Sequence, residues 1–246
     1  MTDPVAVANT YWDVGNDGTD SYIDRCTAKG YSMTVDGRPV WTDQAGATRF
    51  VRAMLDVVPD TRTDHRILFT VRNAVAARIR TEGTVAKAQP GLPPVGQQHV
   101  VEGFAILRIE DGKVAAEDVF TFPDDEHVAS LAEETARRYW TTYNRGTTGF
   151  VDTCLAADAA FFIDGHRIGG DPDSNRAAAE QVLAQLPDRG VEALAVSAAG
   201  RTVCAHIRVT GTPVAEPRSH GGFSQDYIQV LVTTEGRIAA EYNFSG

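Results

Sequence analysis

The chain repeats itself. Tyr11-Trp12 returns as Tyr139-Trp140, an offset of 128 (139 less 11). At that offset Asp24 meets Asp152, Cys26 meets Cys154, Asp36-Gly37 meets Asp164-Gly165, and Pro59-Asp60 meets Pro187-Asp188. Ile79-Arg80 then meets Ile207-Arg208, and Gly83-Thr84 meets Gly211-Thr212. Further on the offset falls to 124, where Gly112 meets Gly236 and Glu117 meets Glu241, so the second copy is four residues shorter in one loop. Such a chain is expected to fold as two copies of one domain, each within the usual size range for an independent core. The expected domains are 1–125 and 129–246, joined by a linker from Pro123 to about Val128. The duplication also allows an internal comparison of which polar residues both copies kept.

Composition narrows the function. A hydrophobic content of 43% lets each copy bury a core. The net charge of −10 argues against nucleic acid and anionic membranes as partners, since both attract Lys/Arg surfaces. A lipophilic small molecule fits better. Cys26, Cys154 and Cys204 form no metal-binding or disulfide pattern and read as small buried hydrophobes. The N-terminal Met-Thr-Asp-Pro-Val does not read as a signal peptide, and no apolar run is long enough to span a bilayer. A cytoplasmic location is the expectation.

Each copy reads as helix, helix, strand, helix, strands. Val5 to Val14 places Val7, Tyr11 and Val14 on one helical face. Thr19 or Asp20 is placed to cap a second helix containing Tyr22, Ile23 and Cys26. Tyr31 to Val35 reads as a strand closed by Asp36-Gly37. Gln44 to Val58 reads as a helix ended by Pro59. Long strands follow, with a hairpin at Glu110-Asp111-Gly112. The next helix is expected near Ser130, where Ser130 and Glu133 have capping-box spacing. The sum predicts an α+β fold with one curved antiparallel sheet per copy and helices on its concave face.

This layout, with an apolar strand ending in Asp36, a helix ending in Pro59-Asp60 and long late strands, resembles the nuclear transport factor 2-like, or SnoaL-like, group. The resemblance covers nearly the whole chain, once per copy. It implies two tandem cone-shaped domains, each with a deep apolar pocket, paired as an intramolecular pseudo-dimer, with a homodimer as a further option. The group includes polyketide cyclases, ketosteroid isomerases, epoxide hydrolases, polyether epoxide-opening cyclases and non-catalytic binders, so fold alone does not set function. In ketosteroid isomerases, whose carboxyls are tuned by an apolar site, a first-helix Tyr and an Asp ending the first strand face the pocket. Tyr11 with Asp36, and Tyr139 with Asp164, match those positions.

Three acidic positions recur: Asp36 with Asp164, Asp64 with Glu192, and Glu102 with Asp226. Two of the three exchange Asp for Glu, keeping charge while changing length. On the late strand Glu102 shares a face with Phe104 and Ile106, as Asp226 does with Ile228 and Val230. Such neighbours predict a desolvated acid with a raised pKa. The structural alternatives are an ordinary turn for Asp36-Gly37, a solvated strand entry for Asp64, and pairing with Arg78 or Arg80 for Glu102. His206 stands where the first copy has Arg78, so that position is read as a cation contacting a carboxylate. His65 and His166 have no histidine counterpart and read as surface residues; His99 aligns with Phe223 and reads as non-catalytic. Trp12, Trp41 and Trp140 read as core or pocket wall.

The leading expectation, taken from the resemblance to tandem polyether epoxide-opening cyclases, is cofactor-free and metal-free acid/base epoxide opening on a polyketide. Asp36 and Asp64 would act in the first copy with Glu102 in support, and Asp164 and Glu192 in the second with Asp226 in support. The alternative enzyme is a SnoaL-type cyclase or isomerase, with Asp36 as base and Tyr11 as oxyanion donor. The alternative class is a non-catalytic small-molecule binder. Geometry separates them. Epoxide opening needs two carboxyls converging on one apolar pocket, the isomerase needs one base facing a Tyr or protonated acid, and the binder needs neither.

Overall fold

A computed structural model describes residues 2–122, 125–214 and 222–246. Internal contacts divide the chain into Met1–Phe122 and Pro123–Gly246. The first unit runs α1 (Pro4–Gly15), α2 (Ser21–Cys26), β1 (Thr27–Val35), β2 (Arg38–Trp41), α3 (Gln44–Val57), β3 (Arg62–Val71), β4 (Ala74–Thr84), β5 (Gln98–Glu110) and β6 (Lys113–Thr121). The second runs α4 (Glu126–Tyr143), α5 (Gly149–Cys154), β7 (Leu155–Ile163), β8 (His166–Gly169), α6 (Pro172–Gln185), β9 (Gly190–Ala199), β10 (Thr202–Gly211), β11 (Phe223–Thr234) and β12 (Arg237–Phe244). Element for element, the second unit repeats the first.

Each unit is a six-stranded sheet, ordered β2-β1-β6-β5-β4-β3 and β8-β7-β12-β11-β10-β9. The sheets are not wholly antiparallel. β1 pairs in parallel with β6, and β7 with β12. The reason is topological: β3 to β6 form a meander whose last strand returns beside the first strand of the unit, running the same way. A parallel neighbour needs a long connection, which the intervening helix and meander provide.

Turn chemistry fixes the strand registers. Asp36-Gly37 and Asp164-Gly165 are two-residue hairpin turns with positive φ at both residues (50° and 73°; 47° and 83°). Asp111-Gly112 and Glu235-Gly236 do the same at the late hairpins. This mirror-image turn matches the twist of the flanking strands and favours Asp or Asn followed by Gly. Asp36 is thus a turn residue by backbone requirement.

Helix starts follow side-chain caps. Asp3 accepts from Val5 N ahead of Pro4, Asp43 from Gly46 N, and Asp171 caps α6 within a capping box. The fourth helix begins at Glu126, earlier than Ser130, because Asp125 accepts from Val128 N. Ser130 and Glu133 therefore lie inside the helix. Of the expected linker, Pro123 and Asp124 fall outside the described residues, as does most of the shortened loop at 215–221.

In the first unit α1 packs on β3 and α3 on β1. Ala8, Tyr11 and Trp12 of α1 meet Val75, Ala77, Ile79, Ala105 and Leu107 in one buried cluster. The second unit repeats it with Ala136, Tyr139 and Trp140 against Val203, Ala205, Ile207 and Leu231. All three cysteines are free and buried. No helix of the described residues is long and apolar enough to cross a membrane.

Candidate active site

The alternation of β-strand side chains decides which residues can reach a ligand. In the first unit the helix-covered face of the sheet carries Met33 and Val35 of β1, Thr63 of β3, Ile79 and Thr81 of β4, His99 and Val101 of β5, and Glu117, Val119 and Thr121 of β6. With Tyr11, Trp12 and Tyr22, and with Phe50, Val51, Met54 and Leu55 of α3, they enclose a cavity of about 400 Å³. That volume suits a small molecule, and its walls are mostly apolar.

Among the described residues one carboxyl lines this cavity: Glu117. It is 5% exposed. Its Oε2 accepts from the Tyr11 hydroxyl at 2.7 Å and from the Tyr31 hydroxyl at 2.9 Å, and the two hydroxyl oxygens lie 2.7 Å apart. No hydrogen bond from the described residues reaches Oε1, which leaves that oxygen for the cavity. Burial raises the Glu117 pKa; the two tyrosine hydroxyls oppose the shift and the neighbouring Asp118 adds to it. Burial and the Glu117 charge push Tyr11 and Tyr31 far up, so both stay protonated donors. Tyr22 lines the same cavity and is likewise pushed up by burial first, then by Glu117.

Of the residues singled out from the sequence, Tyr11, Trp12 and Trp41 line this cavity, and the proposed acids fall elsewhere. Asp36 is exposed at its turn, where its carboxylate accepts from Thr121 N at 2.8 Å and Thr121 Oγ1 at 2.7 Å. Asp164 ties its own turn to Ser245 N and Oγ in the same way, at 2.9 and 2.7 Å. Asp64 lies on the opposite face of β3 from Thr63, with its side chain 70% exposed and Arg62 at 3.8 Å. Glu192 is exposed on the corresponding face of β9. Asp36 and Asp64 therefore do not converge on the cavity.

Strand register explains why Asp64 and Glu102 recur. Asp64 is opposite Arg80, and Arg80 is opposite Glu102. In the second unit Glu192 is opposite Arg208, and Arg208 is opposite Asp226. Each copy carries an acid–arginine–acid ladder across three strands, on the face away from the helices. Glu102 bonds Arg78 at 2.9 Å and Arg80 at 2.6 Å; Asp226 bonds Arg208 at 2.7 and 3.0 Å and His206 at 3.1 Å. The expected raised pKa at these acids is reversed. Arg78 first, with Arg80, holds Glu102 below the usual carboxylate range, and Arg208 first, with His206, holds Asp226 down to about 2. Opposite charges on facing strands stabilise pairing whichever acid is used, so Asp and Glu exchange freely.

His65 stacks on Trp12 and bonds Asn9. His166 is exposed on β8. His99, read from the sequence as non-catalytic, lines the cavity.

The second unit keeps the acid and changes its company. Glu241, 6% exposed, accepts from Tyr139 at 2.7 Å on Oε2 and from Gln229 and Asn243, both at 2.8 Å, on Oε1. Trp140 in turn donates to Gln229 at 2.7 Å. Burial raises the Glu241 pKa against these three donors. Both carboxylate oxygens are thus engaged. Ala159 replaces Tyr31 and Phe150 replaces Tyr22. The Glu117/Glu241 match was visible in the repeat, and the Tyr11/Tyr139 match too. What joins them is the β6 register, which the sequence does not carry.

A mixed six-stranded sheet wrapped by three helices around a buried acid places each unit among the cone-shaped α+β folds. The family is specific: the chain is a tandem of two SnoaL-like domains. Residues 5–120 match the family described as SnoaL-like polyketide cyclase, and residues 136–241 match the SnoaL-like domain family. Solved structures resemble one unit at a time. AclR of Streptomyces galilaeus, provisionally called a hydroxylase, is 20% identical over 48% of this chain and 77% of its own, with a TM-score of 0.42. IdmH of Streptomyces antibioticus, provisionally called a polyketide cyclase, is 17% identical over 49% and 92%, with a TM-score of 0.43. TsrD of Streptomyces laurentii is 22% identical over 48% and 88%, with a TM-score of 0.41. No curated protein matches the chain in sequence.

Proposed function

We propose that the first domain is a cofactor-independent cyclase that uses Glu117 as its proton-transfer group on a lipophilic, polyketide-like substrate. The observation that carries this reading is a buried carboxyl held by two tyrosine hydroxyls on one oxygen and open to an apolar cavity on the other. Oε1 takes the proton from a carbon beside a carbonyl, and the C–H electron pair becomes an enolate. The enolate carbon attacks a second carbonyl carbon, closing the ring. The resulting alkoxide takes the proton back from Glu117. A base whose pKa is raised toward the working pH is suited to both transfers. Tyr22, a neutral hydroxyl on the same wall, is the donor for the developing oxyanion. Tyr11 orients the base here and is not the oxyanion donor expected from the sequence.

The finer reading, epoxide opening to a cyclic ether, would use the same carboxyl, the one acid that the described residues place on the cavity. Protonated Glu117 would give its proton to the epoxide oxygen while the attacking hydroxyl passes its own to solvent; His99 lies far along β5 from Leu107, the strand partner of Glu117, and is out of reach for that transfer. Asp36 and Asp64 would have no part in either reaction.

The test uses two probes on the full chain. 1-Phenylbutane-1,3-dione in deuterium oxide reports proton abstraction beside a carbonyl, and a 4,5-epoxy alcohol reports ring closure by epoxide opening. Deuterium exchange that vanishes in Glu117→Gln and persists in Asp36→Asn supports the cyclase. Ether formation that vanishes in Glu117→Gln supports the epoxide reading. Activity that survives Glu117→Gln and is lost in Asp36→Asn overturns both.

A further inference from the structure

The cavity positions of the first domain can be followed into the second by the repeat. Gly15 becomes Tyr143, Met33 becomes Phe161, Thr63 becomes Val191, Thr81 becomes Val209 and Thr61 becomes Arg189. Most of these changes add bulk or remove hydroxyls. Arg189 does something different: it puts a guanidinium where the first domain keeps ligand space. That side chain is buried, at 2% exposure. Its guanidinium carbon lies 4.2 Å from the centroid of the Tyr143 ring. Nε, Nη1 and Nη2 are all buried and close no well-aligned hydrogen bond with the described residues, though their charge reaches the Tyr143 and Tyr139 hydroxyls and opposes the rise that burial gives both. Glu241 does not serve as its counter-ion, because both of its oxygens are engaged by Tyr139, Gln229 and Asn243.

An arginine in a protein does not shed its charge, and a buried charge is costly unless it is paired. One ring face offsets a part of that cost by cation–π attraction. Three donor nitrogens in a planar fork remain, and that fork matches a carboxylate through two parallel hydrogen bonds. The equivalents of the first cavity's wall are apolar: Phe161, Val191 and Val209 pack on the buried cluster of this domain, as Tyr227 does.

We propose that the second domain is a recognition site for a carboxylate carried on an apolar tail, with Arg189 as its anchor and Tyr143 as the platform that holds the guanidinium flat. The site is independent of the Glu117 chemistry in the first domain. It would give the protein one domain that reacts and one that reads an acid group.

Calorimetry on the full chain with sodium octanoate, octanamide and inorganic phosphate tests this. Octanoate should bind, whereas octanamide, which has the same tail without the charge, and phosphate, which has charge without the tail, should bind far more weakly. Truncating one partner of a buried charge pair lowers affinity roughly 30-fold or more, so Arg189→Met should lose octanoate to at least that extent. Arg189→Lys keeps the charge and removes the fork; it should also bind more weakly, and it covers the case in which Arg189→Met fails to fold. Glu192→Gln, exposed on the outer face of β9, should leave octanoate affinity unchanged. Equal binding of octanoate and octanamide, or undiminished octanoate affinity in both Arg189 variants, would overturn the proposal. Binding of phosphate in preference to octanoate would overturn the carboxylate assignment as well.

Discussion

Removing the hydroxyl of Tyr31 probes the arrangement most directly. Tyr31 is fully buried, and its hydroxyl donates to Glu117 Oε2 at 2.9 Å while also meeting the Tyr11 hydroxyl at 2.7 Å. Tyr31→Phe deletes one atom and keeps the ring that packs on Trp41 and Tyr11. A hydrogen bond to a charged group contributes about 1.5–3 kcal/mol, so the variant should lose about that much stability when Glu117 is ionised. The pH dependence carries the argument. The folded-state pKa of Glu117 is raised by burial above its unfolded value. Stability from this group is therefore fully present below the unfolded pKa and is lost as pH rises through the folded one. Tyr31→Phe raises the folded pKa further, because one of the donors that opposed burial is gone. The deficit against the parent protein should be small in acid, where Glu117 is protonated in both, and should grow to its full size above both folded pKa values. Urea titrations across that range, compared at matched m-values, measure it. In activity, the acidic limb of the pH–rate profile should move to higher pH. A deficit that is the same at every pH would refute the reasoning, since it would mean that the hydroxyl matters for packing and not for the carboxylate.

Two further outcomes follow from the placement of the other acids. Asp64→Asn and Glu192→Gln should change stability by no more than about 0.5 kcal/mol and leave both probe reactions of the first domain intact; loss of turnover in Asp64→Asn would restore it to the site. Asp226→Asn should remove a contribution of at most about 2 kcal/mol after solvent screening. Because Arg208 and His206 depress the folded pKa of Asp226 to about 2 from 3.8, that contribution is present above pH 3.8 and disappears as pH falls toward 2. Acid unfolding curves of parent and variant should therefore converge at the low end and separate above about pH 4.

The repeat made the architecture legible. Tyr11-Trp12, Asp36-Gly37 and the late hairpin glycines each mark a structural joint that both copies need, so the order of elements followed from the spacing. Strand partners did not follow. That β1 lies parallel to β6 depends on how a meander closes on itself, and no local pattern encodes it. The site suffered from the same gap. Asp64 and Glu102 were conspicuous because both copies kept an acid there, yet each faces an arginine on the middle strand, on the side of the sheet without the helices. Asp36 was conspicuous because the hairpin turn demands a residue that tolerates positive φ. Glu117 lay in plain view as one of the matched residues, between Ala116 and Asp118, with no apolar alternation to advertise it. Its importance comes from Tyr11, 106 positions away, and from Tyr31, 86 away.

Comparing the two buried acids shows how one scaffold can hold a carboxyl for different ends. Glu117 and Glu241 occupy equivalent positions, and both are raised by burial. A tyrosine of the first helix of each unit reaches the same oxygen in both. In the second domain Gln229 and Asn243 stand where the first has Ala105 and Val119, and their amides take the remaining oxygen. Three fixed donors take most of the roughly four acceptor positions of that carboxylate, and protonating it would compete with at least one of them. The first domain differs: Ala105 and Val119 carry no amide to bond Oε1, and the two tyrosine hydroxyls bond Oε2. Ala105 and Val119, with no donor of their own, thereby leave Oε1 of Glu117 without the amide partners that Glu241 has. Substituting glutamine and asparagine for them would turn the first acid into the second without touching the carboxyl itself.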